Sequence, residues 1–528
     1  MFNLFFLVSL LFTGVLKESF RIADAEQKHH QVYVRAAMAS DGRFAIAWID
    51  SLKLPVGYDL NLFIRFFDKD GKPLTDPYKI SKLEDTNWIY HPFLDMDNEG
   101  NTVLVWGNNP SPSVHSNGFI RSQSFNPLGT PSGPARTLLD YTLGPYSIMS
   151  IDLANNGEFV LPFEDTKGET YGIWFQRFEL DGTPKDSAVL AFDGDSFPLT
   201  DSTDMIILNY HSISLNDSGD VVVTVTETHL GSGIYDHMPR YQVFNRDDES
   251  ILPWNPTGYR VNDSIAFARS GRAEPQWFDN DRFAVFWLDW AAVPAPAIPL
   301  LSRVFSSRGA VAHPICLLDW VDPRYATSSD AAGRFSIGIS PDDRFAFTYD
   351  RAYKKSWNQF FHRATGFLGE IKNNEPSRTT ATFEYDFPLG SDTATTGARA
   401  VVFPAVAASD DRILWVYSRF NSDTIFEAWA TVTDWNMVGI AEHTETRDLS
   451  PLSVTSIGST ITLSYSNCPN GFSASVYDAT GRRVDELRSS QTHGTIQWGG
   501  GRGCYWPGVY FIVPQVEKAS PSKVVLVR

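Results

Sequence analysis

The stretch SDGRFAIAW at residues 40–48 sets the pattern of the chain. A polar turn built on Asp41 and Gly42 leads into a short aromatic and aliphatic run. The arrangement returns in DNEGNTVLVW (97–106), NNGEFVLPF (155–163), NDSGDVVVTV (216–225), DNDRFAVFW (279–287), PDDRFAFTY (341–349) and SDDRILWVY (409–417). Asp and Asn seed such turns by bonding nearby backbone amides, and Gly supplies positive φ. Each unit therefore predicts a β-hairpin. The turn residues Gly42, Gly100, Gly157, Gly219, Asp281, Asp343 and Asp411 are spaced by 58, 57, 62, 62, 62 and 68 residues.

A second hairpin follows in each unit. An aromatic residue precedes the turn by four positions in IRFFDKDG (Phe67, Gly71), SQSFNPLG (Phe125, Gly129), FQRFELDG (Phe178, Gly182) and SRVFSSRG (Phe305, Gly309), with YQVFNRDD (Phe244, Asp248) a variant. Two hairpins make four strands, and four strands per unit of about 60 residues describe one blade of a β-propeller. The expected fold class is all-β: a seven-bladed β-propeller over residues 26–440, then a small Ig-like β-sandwich. Six or eight blades stay open, because the sixth and seventh units are irregular and residues 372–400 form an insertion. No long stretch has helical periodicity, so little helix is expected.

Composition agrees with a large packed body. The 528 residues are 43% hydrophobic and 14% aromatic, which excludes a disordered chain. The formal charge of −18 argues against nucleic-acid or anionic-membrane partners. The opening MFNLFFLVSLLFTGVL has an apolar core too short for a membrane span, and Ala23-Asp24-Ala25 offers small residues for cleavage before Glu26. Residues 1–25 are thus expected to be a signal peptide. No other stretch is apolar enough to span a bilayer, so no membrane span is expected after its removal.

The last part differs in charge. After a polar linker at 441–450, residues 451–528 carry seven basic and four acidic residues, against the acidic remainder. Their strands alternate through ITLSYS, ASVYDATGRRVDEL, GTIQW, GVYFIVPQ and KVVLVR, which gives five strands. This module resembles the C-terminal sorting domain of type IX secretion cargo and the related Ig-like domain of the flagellar hook-capping protein. The resemblance rests on Tyr477, Asp478, Gly481 and Arg482 of the turn, on Trp498, on Gly508, Val509 and Tyr510, and on the basic-apolar terminus from Lys523. It covers about 15% of the chain. It implies export through the periplasm, recognition by the type IX secretion machinery, and a secreted or cell-surface location. The loop GGGRGCYW is shorter and richer in Gly than that family's usual Asp-rich loop. Cys468 and Cys504 form a candidate disulfide, with two separate thiols the alternative. Cys316 is expected to be a small buried hydrophobe.

The sequence offers little chemistry. Asp95-x-Asp97-x-Glu99-Gly100 begins like a calcium loop, but Trp106 stands where a bidentate carboxylate is needed, so a solvated turn is expected. His29-His30 is expected to be a mobile terminus. There is no nucleophile elbow, zinc-protease helix, phosphate loop or sialidase-type Ser-x-Asp-x-Gly-x-Thr-Trp box, and no cofactor is expected. Arg65, Arg121, Arg177 and Arg303 recur, either as stems packed on outer strands or as a ring of cations. Trp48, Trp106, Trp287 and Trp415 recur in second strands and are expected to pack between blades. Aromatics in or beside connections are the better contact candidates: Trp88, Tyr90, Trp254, Trp290, Trp320 and Trp357. The expected role is binding of carbohydrate or protein. The alternatives are a secreted polysaccharide hydrolase or lyase and a structural surface or adhesion component.

Overall fold

The structure is a computed structural model. In the first of two compact units, residues 1–440, it describes residues 14–23, 29–53, 58–80, 88–109, 118–141, 150–167, 170–197, 206–229, 236–262, 270–289, 298–321, 335–356, 359–380, 382–384, 395–396, 404–420 and 425–436. In the second, residues 441–528, it describes residues 452–457, 460–465, 471–478, 482–498, 508–514 and 522–526.

The first unit is a seven-bladed β-propeller. Its described strands form seven antiparallel sheets, each with four strands along its main path. Blade 1 runs through His29–Met38, Phe44–Lys53, Tyr58–Phe67 and Tyr78–Lys79. Each repeated turn joins a first strand to a second, as the sequence predicts. In blade 2 Asp97 Oδ1 accepts from the amides of Glu99 and Asn101, and Gly100 follows at φ 93°. That fastens the hairpin and fulfils the expectation of a turn there.

Seven apolar clusters fill the gaps between successive sheets and close the ring. One joins blades 1 and 2 through Ile49, Ile64, Leu104 and Trp106. The last joins blade 7 back to blade 1 through Leu414, Val416, Phe44 and Trp48. A sheet covered on both faces needs apolar residues in both alternation phases. The second strand Phe44–Lys53 is accordingly buried from Phe44 through Ser51. Trp48, Trp106, Trp287 and Trp415 are at most 1% exposed, so they pack between blades as expected.

Two features extend the sequence reading. In blade 6 the short strands Phe383–Glu384 and Thr395–Thr396, from the 372–400 insertion, add to the strand Gln359–Lys372. In blade 7 the fourth strand is Val15–Arg21, which pairs with Phe426–Thr433. The propeller therefore starts at Val15 and not at residue 26, inside the segment expected to be a removable leader. The described helix is a three-residue 3-10 turn at Gly194–Ser196.

The second unit is a two-sheet sandwich. Leu452–Ile457, Thr460–Tyr465 and Gly494–Trp498 form one sheet. Arg483–Ser489, Phe472–Asp478, Gly508–Pro514 and Ser522–Leu526 form the other, in that order. Ile461, Leu463 and Trp498 from the first meet Ala474, Val476 and Ile512 from the second in one core. The seven strands exceed the expected five: the hairpin through Gly481 counts as two, and Leu452–Ile457 is an addition.

Candidate functional site in the central channel

The first strands of all seven blades line a central cavity of about 730 Å³. The residue five positions before each repeated turn residue gives one ring of the wall. In blade order that ring reads Ala37, Asp95, Asp152, Ser214, Gln276, Gly338, Val406. Blades 2 to 5 thus present a polar arc, and blades 6, 7 and 1 a small or apolar one.

Three members of the arc clasp the next blade. Asp95 Oδ2 accepts from the Leu153 amide at 2.7 Å. Asp152 Oδ2 accepts from the Leu215 amide at 2.9 Å and from the Ser214 hydroxyl at 2.7 Å. Ser214 Oγ in turn accepts from the Trp277 amide at 3.3 Å. Asp95 and Asp152 also hydrogen-bond each other. Desolvation in the channel wall, with Asp152 close by, pushes the Asp95 carboxyl well above the usual carboxylate range. Desolvation raises Asp152 as well. The pair shares a proton and holds backbone amides. It lacks the separation of about 5–10 Å that glycosidic cleavage requires.

Above this ring the first strands of blades 1, 2, 4 and 5 carry a bulge at the same place, between Val32 and Arg35, Tyr90 and Phe93, Asn209 and Ser212, and Ser270 and Ala273. At equivalent positions in blades 1 and 4, nine residues before the turn glycine, Tyr33 and Tyr210 take φ values of 54° and 52°. Both line the cavity. A left-handed backbone costs a bulky residue on the order of 1–2 kcal/mol, and such strain gathers at functional sites. The sequence reading missed both tyrosines. Their common offset from Gly42 and Gly219 was the available signal.

Charged groups at the end of the second strands form internal clusters. Glu227 is fully buried between Arg240 Nε at 2.6 Å and His229 Nε2 at 2.7 Å. His29 Nδ1 lies 2.5 Å from Asp50 Oδ1, and His30 Nδ1 accepts from the Phe426 amide at 3.3 Å. Burial lowers the His30 pKa. The histidine pair is therefore the start of a strand and not a mobile terminus. In blade 3 burial raises Glu164, which accepts from the Tyr171 hydroxyl at 2.8 Å.

The recurrent arginines do not make a cation ring. Arg65 faces Ile46, Arg303 faces Val285, Arg121 faces Trp106 and Arg177 faces Val160, which are different levels along their blades. Arg177 is buried, with Glu158 at 2.7 Å and Asp248 at 2.7 Å. Packed, paired stems are the observed role.

The six candidate aromatics do not converge. Trp88 and Tyr90 sit on the first strand of blade 2, paired with Asn109 and Gly107, rather than in a connection. Trp320 belongs to the fourth strand of blade 5 and pairs with Pro299. Trp254 is half exposed, between the third and fourth strands of blade 4. Antiparallel order puts that connection at the opposite end of the blade from Trp88. Trp290 and Trp357 lie outside the described residues. Cys316 is partly exposed on blade 5, with Sγ 3.4 Å from His313 Nδ1, and desolvation raises its thiol pKa.

In the second unit the motif residues are structural. Trp498 is buried, donates from Nε1 to Asp485 at 2.8 Å and meets the Tyr510 ring edge-on at 5.0 Å. Tyr477 and Asp478 pair with Phe511 and Tyr510, Val509 pairs with Val525, and Lys523 with Phe511. Gly508 pairs with Leu526, and Arg482 is exposed. Gly481, Cys468 and Cys504 lie outside the described residues.

No family model matches the chain, and no curated protein matches it. Among solved structures it is similar to a Dyadobacter fermentans protein of unknown function, at 10% identity over 80% of this chain and 99% of that one, with a TM-score of 0.40. It is also similar to the β-propeller domain of the Trilobed protease from Pyrococcus furiosus, at 7% identity over 80% and 100%, with a TM-score of 0.37. A third is an α-L-arabinanase from Penicillium chrysogenum complexed with arabinobiose, at 12% identity over 63% and 93%, with a TM-score of 0.38.

Proposed function

We propose that this chain is an exported, secreted or cell-surface binding protein whose propeller takes a carbohydrate at its central channel. The observation that carries the reading is the matched pair Tyr33 and Tyr210, held on strained bulges in the channel wall. An aromatic ring offers a flat apolar face and its hydroxyl a hydrogen bond, the two demands of a sugar ring. The arc of Asp95, Asp152, Ser214 and Gln276 adds polar groups on one side. A cavity of about 730 Å³ has the size of a small-ligand site. A hydrolase is the weaker reading, because Asp95 and Asp152 are engaged with backbone amides. The test is a combined glycan and peptide array probed with the intact chain. Glycan signals support the reading, peptide signals alone move it to protein binding, and silence moves it to a structural role.

The C-terminal sandwich serves, in this reading, as a sorting domain read by the type IX secretion machinery. Its support is the resemblance carried by Tyr477, Asp478, Trp498 and the terminus from Lys523. The full chain and a variant lacking residues 441–528 are compared in a host with that route. Retention of the shortened chain in the periplasm supports the role, and equal passage of both refutes it.

A further inference from the structure

We propose that the folded, exported protein keeps Val15–Ile22 as the fourth strand of blade 7, so that any leader cut falls before Val15 rather than after Ala25. The segment carries the same local code as fourth strands elsewhere in the ring. Phe20-Arg21-Ile22 matches Tyr78-Lys79-Ile80 of blade 1 and Tyr259-Arg260-Val261 of blade 4: aromatic, basic, branched aliphatic.

The three copies make the same bonds. The amides of Ile22, Ile80 and Val261 donate to the carbonyls of Ala428, Leu62 and Pro239 on their third strands, at 3.0, 2.9 and 3.0 Å. All three aliphatic side chains are at most 1% exposed. An arginine of the following blade then reaches back. Arg65 donates to the Ile22 carbonyl at 2.7 Å, as Arg303 donates to the Val261 carbonyl at 2.8 Å. The aromatic member packs on the next blade's turn phenylalanine, with ring centroids 5.7 Å apart both for Phe20 on Phe67 and for Tyr78 on Phe125.

Polar partners complete the seam. Arg21 pairs with the buried Glu427 at 3.0 Å, and Ser19 Oγ bonds Thr431 Oγ1 at 2.8 Å. The Asp434 amide donates to the Gly14 carbonyl at 2.7 Å. Cleavage before Glu26 would remove every one of these groups. It would leave the third strand of blade 7 with an unpaired edge, a template for aggregation. A leader spacer selected only for processing has no reason to repeat a three-residue code found in two blades.

The inference rests on the export reading, and one experiment separates the two. The full-length protein is expressed in a host with the export route, fractionated, and each fraction is read by intact mass and N-terminal sequencing. An exported chain starting at or before Val15 supports both. A chain found inside the cell with Met1 intact defeats export but keeps the strand. An exported, folded chain starting at Glu26, or anywhere after Val15, overturns the inference. A second variant guards the result: Ile22→Ala lowers the melting temperature of the exported protein by roughly 5 °C if the residue is a buried part of it. An unchanged melting temperature overturns the inference.

Discussion

The Leu153 amide of blade 3 donates a 2.7 Å hydrogen bond to Asp95 Oδ2 of blade 2. Asp152 repeats the contact one blade on, to Leu215, and Ser214 repeats it again, to Trp277. Successive first strands are thus laced together at one level of the channel. Two neighbouring carboxylates in this lacing can persist only by sharing a proton.

That sharing fixes a pH dependence. The folded state raises the Asp95 pKa above its unfolded value, so its stabilising contribution is complete below the ordinary carboxylate range. The contribution is lost as pH rises through the raised value. Asp95→Asn keeps the shape without the charge. Its melting temperature should exceed that of the parent at pH 7, by on the order of 1 kcal/mol in stability, and the gap should close toward pH 4. Thermal unfolding of both proteins across that range checks it.

The opposite sign holds for Glu158. Burial alone would raise its pKa, but Lys185 and Arg177 hold it below the usual range. Its contribution is complete above the ordinary range and is lost as pH falls through the lowered value. Arg177→Ala strands a buried carboxylate and should cost about 3–5 kcal/mol. Glu158→Gln should reduce the loss of stability on acidification. Denaturant unfolding at pH 7 and pH 3.5 measures both.

Cys316 should behave as an inert thiol. Desolvation raises its pKa, so little thiolate is present at neutral pH. Cys316→Ser should change stability by less than about 1 kcal/mol. The native thiol should react with a disulfide reagent several-fold more slowly than a cysteine in an unfolded peptide. Faster reaction would contradict this.

Much of the architecture was legible in the chain because the repeats state it locally. Asp97 and Gly100 fix a turn whatever surrounds them, and Trp48 recurs as Trp106, Trp287 and Trp415 because each gap needs the same filling. The fourth strands were hard to read because they are short, two residues at Tyr78–Lys79 and at Tyr259–Arg260. The code of Phe20-Arg21-Ile22 consequently passed as a leader spacer. The site was less legible still. Asp95 and Asp152 lie 57 residues apart and meet only when the ring closes. The loop aromatics were chosen for exposure, whereas Tyr33 and Tyr210 are marked by backbone conformation, which composition does not reveal.

The central claim is that the strained tyrosines of the channel bind carbohydrate. Tyr210→Gly removes the ring and relieves the left-handed backbone, so the variant should be at least as stable as the parent. The decisive measurement sets this variant beside the intact parent on the same glycan array, with melting temperatures recorded for both. The channel reading predicts glycan signals for the parent and at least a tenfold loss for a fully folded Tyr210→Gly. Parent signals that the variant retains undiminished would contradict it.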